Sequence, residues 1–143
     1  MEERRDPAAA LTSIPVLKWM GMRWVDTGDP DVYVVEMDIR PDLLNLAGVP
    51  HGGVIATLID HTGGFAAGVL TGRGGPTADL HVRYLTGTRG TTLRAEARIV
   101  RAGRQLAITE TRVFDDTGKL VAIGDMSIAV SNAGEPRTEP SPD

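Results

Sequence analysis

Residues 45–70 read NLAGVPHGGVIATLIDHTGGFAAGVL, and the predicted domain is built around this segment. From residue 54 to residue 70 the side chains are apolar or small, except for Asp60, His61 and two threonines. A helix without a polar face is usually buried, so the stretch predicts one long core helix. Pro50 disfavours helical backbone in the residue before it, and the two glycines after His51 let the chain turn tightly into the helix.

The start of this helix is a candidate binding site for an oxygen atom that carries negative charge. The first backbone amides of a helix have no acceptor within the helix, and they lie at the positive end of its dipole. Here those amides belong to Gly52 and Gly53, whose lack of side chains leaves them accessible.

Asp60 is the anomaly within the helix. An ionised carboxylate in apolar surroundings costs free energy unless it is paired or hydrogen-bonded, and its pKa tends to rise. Perturbed acids concentrate at functional sites, which favours a catalytic role. The structural alternative is that Asp60 is hydrogen-bonded at a subunit contact or faces solvent.

Helix geometry separates the two candidate features. Asp60 lies seven residues after Gly53, which is two turns and roughly 10 Å along the axis. One helix therefore cannot bring its first amides and this carboxylate to the same reacting group. Two antiparallel copies of the helix could, so the sequence predicts a two-fold dimer with two shared sites.

The composition excludes several classes of protein. The formal net charge is -4, and nucleic-acid binders rely instead on clustered basic residues. There is no cysteine, which excludes disulfides, thiolate nucleophiles and cysteine metal sites. We find no secretory signal pattern and expect no segment that reaches the length of a membrane span, so we expect a soluble cytoplasmic protein without membrane contact.

The chain divides into an arm, one domain and a tail. We predict a flexible arm over residues 1–10, a single domain over residues 11–130, and a flexible tail over residues 131–143, which are rich in proline and polar residues. At the start of the domain, residues 11–20 predict a short helix with Ser13 as its N-cap and Pro15 in its first turn.

Strand patterns lie on both sides of the core helix. Apolar and polar residues alternate or β-forming residues concentrate in six segments, at 22–25, 32–40, 79–84, 93–99, 105–114 and 120–130. Short turn-like segments follow most of them, so consecutive strands should pair as antiparallel neighbours. We therefore predict an α+β domain in which a curved antiparallel sheet of five or six strands wraps around one long central helix.

Taken together, these motifs resemble the hotdog-fold acyl-CoA thioesterases, and within them the phenylacetate-pathway thioesterase subgroup. The resemblance covers residues 40–130. It is carried by Asn45-x5-His51-Gly52-Gly53-x6-Asp60, then Pro76-Thr77-Ala78-Asp79-Leu80, Tyr84-Leu85, Gly103-Arg104 and Gly118-Lys119-Leu120-Val121-Ala122.

The resemblance implies a role for each matching residue. Asp60 would be the catalytic carboxylate, acting as general base on water or as nucleophile on the thioester carbonyl, and Gly52 would donate its amide to the thioester oxygen. Asn45 and His51 would position the thioester and the helix entrance, while Thr77 would help to hold the water. In the family Asp60 and Thr77 come from one subunit and the other three residues from its partner, in dimers or dimers of dimers.

Simpler structural roles stand beside these. His51 could be a general acid or only a cap for the helix, and we favour the orienting role. Asn45 could simply form a turn, since asparagine is common in turns. Thr77 could be an ordinary first residue of a strand.

Coenzyme A, the leaving group that the resemblance implies, carries phosphates to which arginine is suited. The candidate contacts with the substrate are Gly53 at the helix start, Arg73, and the hairpin residues Arg101, Gly103 and Arg104. An acyl carrier protein thioester is the alternative substrate. The chemistry requires no cofactor and no metal.

Two other functions compete with thioester hydrolysis. A non-catalytic protein that binds or senses acyl-CoA could use the same fold. A hydratase or dehydratase on a related fold would pair Asp60 with a histidine about five residues downstream, but the neighbouring histidines are His51 and His61.

Overall fold

The structure is a computed structural model and describes residues 6–130. Three helices and six strands form one sheet-and-helix unit. In chain order they are α1 (Pro7–Ser13), α2 (Pro15–Met20), β1 (Arg23–Val25), β2 (Tyr33–Asp38), α3 (Gly52–Thr71), β3 (Thr77–Tyr84), β4 (Thr92–Ala102), β5 (Leu106–Asp115) and β6 (Leu120–Ala129), with a 3-10 turn at Pro41–Leu43.

The predicted core helix is confirmed as α3. It begins directly after His51, whose backbone is extended (φ -61°, ψ 139°) and whose imidazole accepts a hydrogen bond from Gly53 N–H. It ends at Gly72, which has φ 70°. A left-handed residue at this position is a common end for a helix, and glycine adopts it without strain.

The six strands form one antiparallel sheet in the order β1-β2-β4-β5-β6-β3, with α3 packed on one face. This confirms the α+β fold with a curved sheet around a central helix. The expectation that consecutive strands pair is wrong at β3, which pairs with β6 and places Leu80 opposite Met126. The chain leaves α3 at the far edge of the sheet, and residues 85–91 return it to the middle, where β4 pairs with β2.

The core lies between α3 and the sheet. Leu58, Ile59 and Ala66 on the helix are fully buried. Gly63 allows the close approach, because a Cβ at this position would lie 2.5 Å from Met126 Sδ and 2.7 Å from Thr109 Oγ1. The sheet-facing side of α3 is therefore packed without space for an added methyl group.

The opposite side of α3 is open, which corrects the expectation that the helix is covered all round. A stripe of small residues and one carboxylate remains partly or fully exposed in the single chain; its members are Gly53, Thr57, Asp60, Gly64 and Gly68. We call this the small-residue stripe.

The length of α3 corrects a second expectation. With 20 residues, it is long and apolar enough to cross a membrane by length and composition, although we expected no such segment. Its packing against the sheet is that of a core helix.

The N-terminal region also differs from the prediction. The arm expected over residues 1–10 is helical from Pro7. Ala8 N–H donates to Asp6 Oδ1 at 3.0 Å, so Asp6 caps this helix, and proline suits the first helical position. The single helix expected over residues 11–20 is split at Ile14, which is extended because Pro15 follows it. Ile14, and not Ser13, precedes α2. Residues 1–5 and the predicted tail at 131–143 lie outside the described residues.

Candidate active site

The first turn of α3 presents one amide without an acceptor. Gly53 N–H donates to His51 Nδ1 at 2.9 Å, while Val54 and Ile55 N–H donate to the His51 carbonyl at 2.9 and 3.2 Å. Among residues 6–130, Gly52 N–H has no hydrogen-bond acceptor. This donor therefore lies at the positive end of the helix dipole and is free to bind an oxygen atom.

The structure places His51 as the N-cap of α3, since its imidazole satisfies the second amide of the helix. Because Nδ1 accepts this bond, the ring proton of a neutral His51 is on Nε2. That geometry matches the orienting role considered for His51.

Asn45 holds the loop that enters the helix. Its side-chain oxygen accepts hydrogen bonds from Ala47 N–H at 2.9 Å and from Val49 N–H at 3.4 Å, and its backbone N–H donates to the Val49 carbonyl. Asn45 and Gly52 both line a cavity of about 270 Å³. The asparagine thus forms the turn that the sequence suggested, and it also faces the space beside the free amide.

Asp60 and Thr77 form a second group of site residues. The Thr77 hydroxyl donates to Asp60 Oδ1 at 2.8 Å, which brings the first residue of β3 to the middle of α3. The expectation that Asp60 is buried is wrong for the single chain, because the carboxylate lies on the small-residue stripe and is half-buried. A turn earlier on that stripe, Thr57 bonds back to the Gly53 carbonyl at 2.8 Å.

The two groups are separated within one protomer. Asp60 follows Gly52 by eight residues, which corresponds to about 12 Å along the helix axis. Neither Asp60 nor Thr77 lines the cavity beside Asn45. One chain therefore holds an amide half and a carboxylate half that do not meet.

His61, the neighbour of Asp60, faces the interior. It is 7% exposed, and its ring packs against Phe65 with 4.4 Å between the ring centroids. Burial lowers the pKa of His61 from 6.5 to about 4, so the ring is neutral at physiological pH. Because His61 and Asp60 point in different directions, they cannot serve one metal ion, and residues 6–130 contain no group of three or more His, Asp or Glu side chains arranged to hold one.

The arginines considered for coenzyme A lie near the C-terminal end of α3. Arg73 donates from Nη1 to the Gly103 carbonyl at 3.1 Å and from Nη2 to the Arg104 carbonyl. These bonds tie the loop after α3 to the turn between β4 and β5. The side chains of Arg101 and Arg104 are exposed. Gly103 is needed in that turn, since a Cβ there would lie 2.7 Å from the Leu106 carbonyl oxygen.

Tyr84 is a residue of this region that the sequence analysis assigned no role. It is the last residue of β3, lines the same cavity as Asn45, and donates its hydroxyl to the Gly52 carbonyl at 2.6 Å. The alternation along β3 puts Tyr84 on the same face as Leu80 and Val82, and this was the available signal. The pairing of β3 with β6, which brings the end of the strand to the helix start, was not predicted.

Comparison with known proteins assigns the chain to a family. A model of the thioesterase superfamily matches residues 47–122. The human protein named acyl-coenzyme A thioesterase 13 is 31% identical over 99 residues, which cover 66% of this chain and 70% of that protein.

Solved structures agree with this assignment. Zebra fish thioesterase superfamily member 2 has a TM-score of 0.75 and 26% identity, over 85% of this chain and 91% of that one. The E. coli PaaI protein from the phenylacetic acid degradation operon has a TM-score of 0.78 over 87% of this chain and 89% of that one, with 20% identity. The second likeness supports the hotdog fold alone.

Proposed function

Because this chain belongs to the thioesterase superfamily and is a thioester hydrolase, we propose that it cleaves acyl-CoA to a free carboxylic acid and coenzyme A. The relative named acyl-coenzyme A thioesterase 13 supports this substrate class. The observation that carries the mechanism is the Gly52 amide at the start of α3, which has no acceptor within the described part of the chain, together with a carboxylate elsewhere on the same helix.

The proposed chemistry begins with charge on the thioester oxygen. Attack on the carbonyl carbon moves electron density onto this oxygen, and Gly52 N–H stabilises it from a fixed position. A preorganised donor of this kind contributes on the order of 3 kcal/mol to the stability of the transition state. Asn45 faces the same cavity and holds the loop that fixes the helix entrance.

Asp60 supplies the second component. As a general base it takes a proton from water while the water attacks the carbonyl carbon, and the thiolate of coenzyme A then leaves. As a nucleophile it would instead form an acyl anhydride that water hydrolyses. The Thr77 hydroxyl bonds one carboxylate oxygen and thereby orients the group in either scheme.

The complete site is proposed to form between two protomers. The amide half and the carboxylate half lie about 12 Å apart in one chain, and an antiparallel partner would bring each half to its complement. The small-residue stripe supports this arrangement, because Gly64 and Gly68 leave room for a second chain beside Asp60. We propose a dimer, or a dimer of dimers.

The decisive test of the mechanism is release of free thiol from a panel of acyl-CoAs. Asp60→Asn should lower kcat by about a hundredfold or more, because a general base typically raises the reaction rate by about 10²- to 10⁴-fold. The control is Asp31→Asn, which changes an exposed turn carboxylate in the same way. If Asp60→Asn hydrolyses every substrate as fast as wild type does, the mechanism is refuted. Tight binding without turnover by the wild type would indicate an acyl-CoA binding protein.

Mixing two inactive variants tests the shared site. Asn45→Ala disables the amide half and Asp60→Asn the carboxylate half. In a mixed dimer one site carries both changes and the other site carries neither. With equal mixing and free subunit exchange, about half of the dimers are mixed and each has one intact site, so about a quarter of wild-type activity should return. No recovery, with exchange verified by mass spectrometry, would place both halves of the site in one chain.

A substrate comparison tests the coenzyme A contacts. We expect Arg101 and Arg104 to approach the nucleotide, since Arg73 is committed to backbone carbonyls. Arg104→Gln should raise KM for acyl-CoA and leave KM for the matching acyl-pantetheine unchanged, because the latter has no nucleotide. An equal effect on both substrates would exclude this contact.

A further inference from the structure

Tyr84 makes an unusual connection between a strand end and a helix start. Its hydroxyl donates to the carbonyl oxygen of Gly52 at 2.6 Å, and the hydroxyl end of its ring lies beside the same glycine. A Cβ at position 52 would be 3.2 Å from both Cζ and Oη of Tyr84. The ring therefore crowds the position that a Cβ at residue 52 would take.

This contact acts on the first turn of α3. The helix opens with two glycines, which have more backbone freedom than any other residue and lose more of it on folding. The orientation of the Gly52 amide depends on the backbone angles of this turn. A hydrogen bond from outside the helix to the Gly52 carbonyl restricts them, and β3 itself is held by β6, where Tyr84 pairs with Ala122.

Tyr84 also borders the cavity beside the free amide. It shares this lining with Asn45 and Gly52, and its side chain remains 52% exposed in the single chain. One face of the phenol is thus available to a bound substrate while the hydroxyl is held by the helix.

We propose that Tyr84 is a positioning residue for thioester hydrolysis. Its hydroxyl fixes the first turn of α3 so that Gly52 N–H points at the thioester oxygen, and its ring forms a wall of the pocket. The inference rests on the proposed function, because it assumes that the Gly52 amide is the catalytic donor.

Tyr84→Phe separates the two roles, since it removes the hydroxyl and keeps the ring. The loss of one neutral hydrogen bond predicts a decrease in kcat of about three- to tenfold with little change in KM. Tyr84→Ala should in addition raise KM, because the wall is lost. Tyr33→Phe is the matched control, because this buried hydroxyl has no hydrogen-bond partner among residues 6–130 and lies outside the cavity lining. That variant should keep wild-type kcat and KM.

A measurement that does not need turnover completes the test. In ¹H–¹⁵N spectra, Tyr84→Phe should shift the amide of Gly52 and that of Gly53, which shares a peptide group with the Gly52 carbonyl. It should also speed hydrogen exchange at Gly53, whose amide is hydrogen-bonded to His51. Tyr33→Phe should change neither amide. Wild-type kcat in Tyr84→Phe, with Asp60→Asn inactive, would overturn the positioning role alone. An inactive wild-type protein would overturn the proposed function, and unchanged glycine amides in Tyr84→Phe would then overturn the contact itself.

Discussion

Buried His61 should make the stability of the fold depend on pH between about 4 and 6.5. The ring is 7% exposed, it packs against Phe65, and Nε2 has no hydrogen-bond partner among the described residues. Burial disfavours the charged imidazolium, which lowers the pKa of His61 from 6.5 to about 4.

The sign of the effect follows from proton binding. Below pH 6.5 the unfolded chain takes a proton on His61, whereas the folded chain does so only near pH 4. The unfolded state therefore binds more protons in this window, so the free energy of unfolding falls as the pH falls. The difference between the two pKa values corresponds to a loss of about 3 kcal/mol in the free energy of unfolding at pH 4, and this loss is absent above pH 7.

Urea unfolding of wild type and His61→Gln at pH 7, 5.5 and 4.5 measures this contribution. Glutamine keeps a polar side chain but does not titrate, so the pH dependence from all other groups cancels in the difference. Protein concentration is held fixed, because an oligomer gains apparent stability with concentration. As the pH is lowered, the free energy of unfolding of wild type should fall relative to that of the variant, and this relative loss should approach about 3 kcal/mol near pH 4. Parallel pH dependences of the two proteins would refute the buried, neutral state of His61.

Three further perturbations test the packing and the site. Gly63→Ala should lower the free energy of unfolding by about 1–3 kcal/mol through contact with Met126, and wild-type stability would contradict the packing. Asp115→Ala should lower Tm, because this carboxylate is 6% exposed and accepts hydrogen bonds from neighbouring loops. The Thr117 and Thr88 hydroxyls lower the pKa of Asp115, so the difference in Tm between wild type and the variant should shrink as the pH falls below 4. His51→Ala should lower the free energy of unfolding, measured by chemical denaturation, by about 1 kcal/mol, whereas His51→Asn should lower it much less because asparagine can also cap the helix. Equal losses in the two variants would exclude a capping role.

The core helix and the strands could be predicted because they depend on local pattern. The apolar run of residues 54–70 indicates a buried helix, and it appears as α3. The alternation along the strands appears as alternating burial most clearly in β4, β5 and β6. The start of the helix could be predicted for the same reason, because Pro50 and the two glycines affect the backbone conformation only of themselves and their neighbours. The failed boundaries at α1 and α2 were also local, and there the capping by Asp6 and the effect of Pro15 on Ile14 were overlooked.

Long-range placement was harder to predict. The pairing of β3 with β6 depends on where the chain leaves α3, and no periodicity encodes that. The contact of Tyr84 with Gly52 follows from this pairing and was missed with it. The exposure of Asp60 was misjudged because the apolar run of residues 54–70 does not show which face of the helix the sheet covers, and Asp60 lies on the face that the sheet leaves open.

The pairing of β3 with β6 also has a consequence for synthesis. Thr77 is aligned with Ile128, 51 positions later, so the strand that carries Thr77 is held by a segment that is synthesised well after it. Contacts between residues so distant in the chain form late and slow the folding of a domain. A nascent polypeptide that stops before β6 has Asp60 but nothing to fix Thr77 against it. Premature termination upstream of that strand should thus leave Thr77 without its pairing partner, and under the proposed mechanism such a product should be inactive.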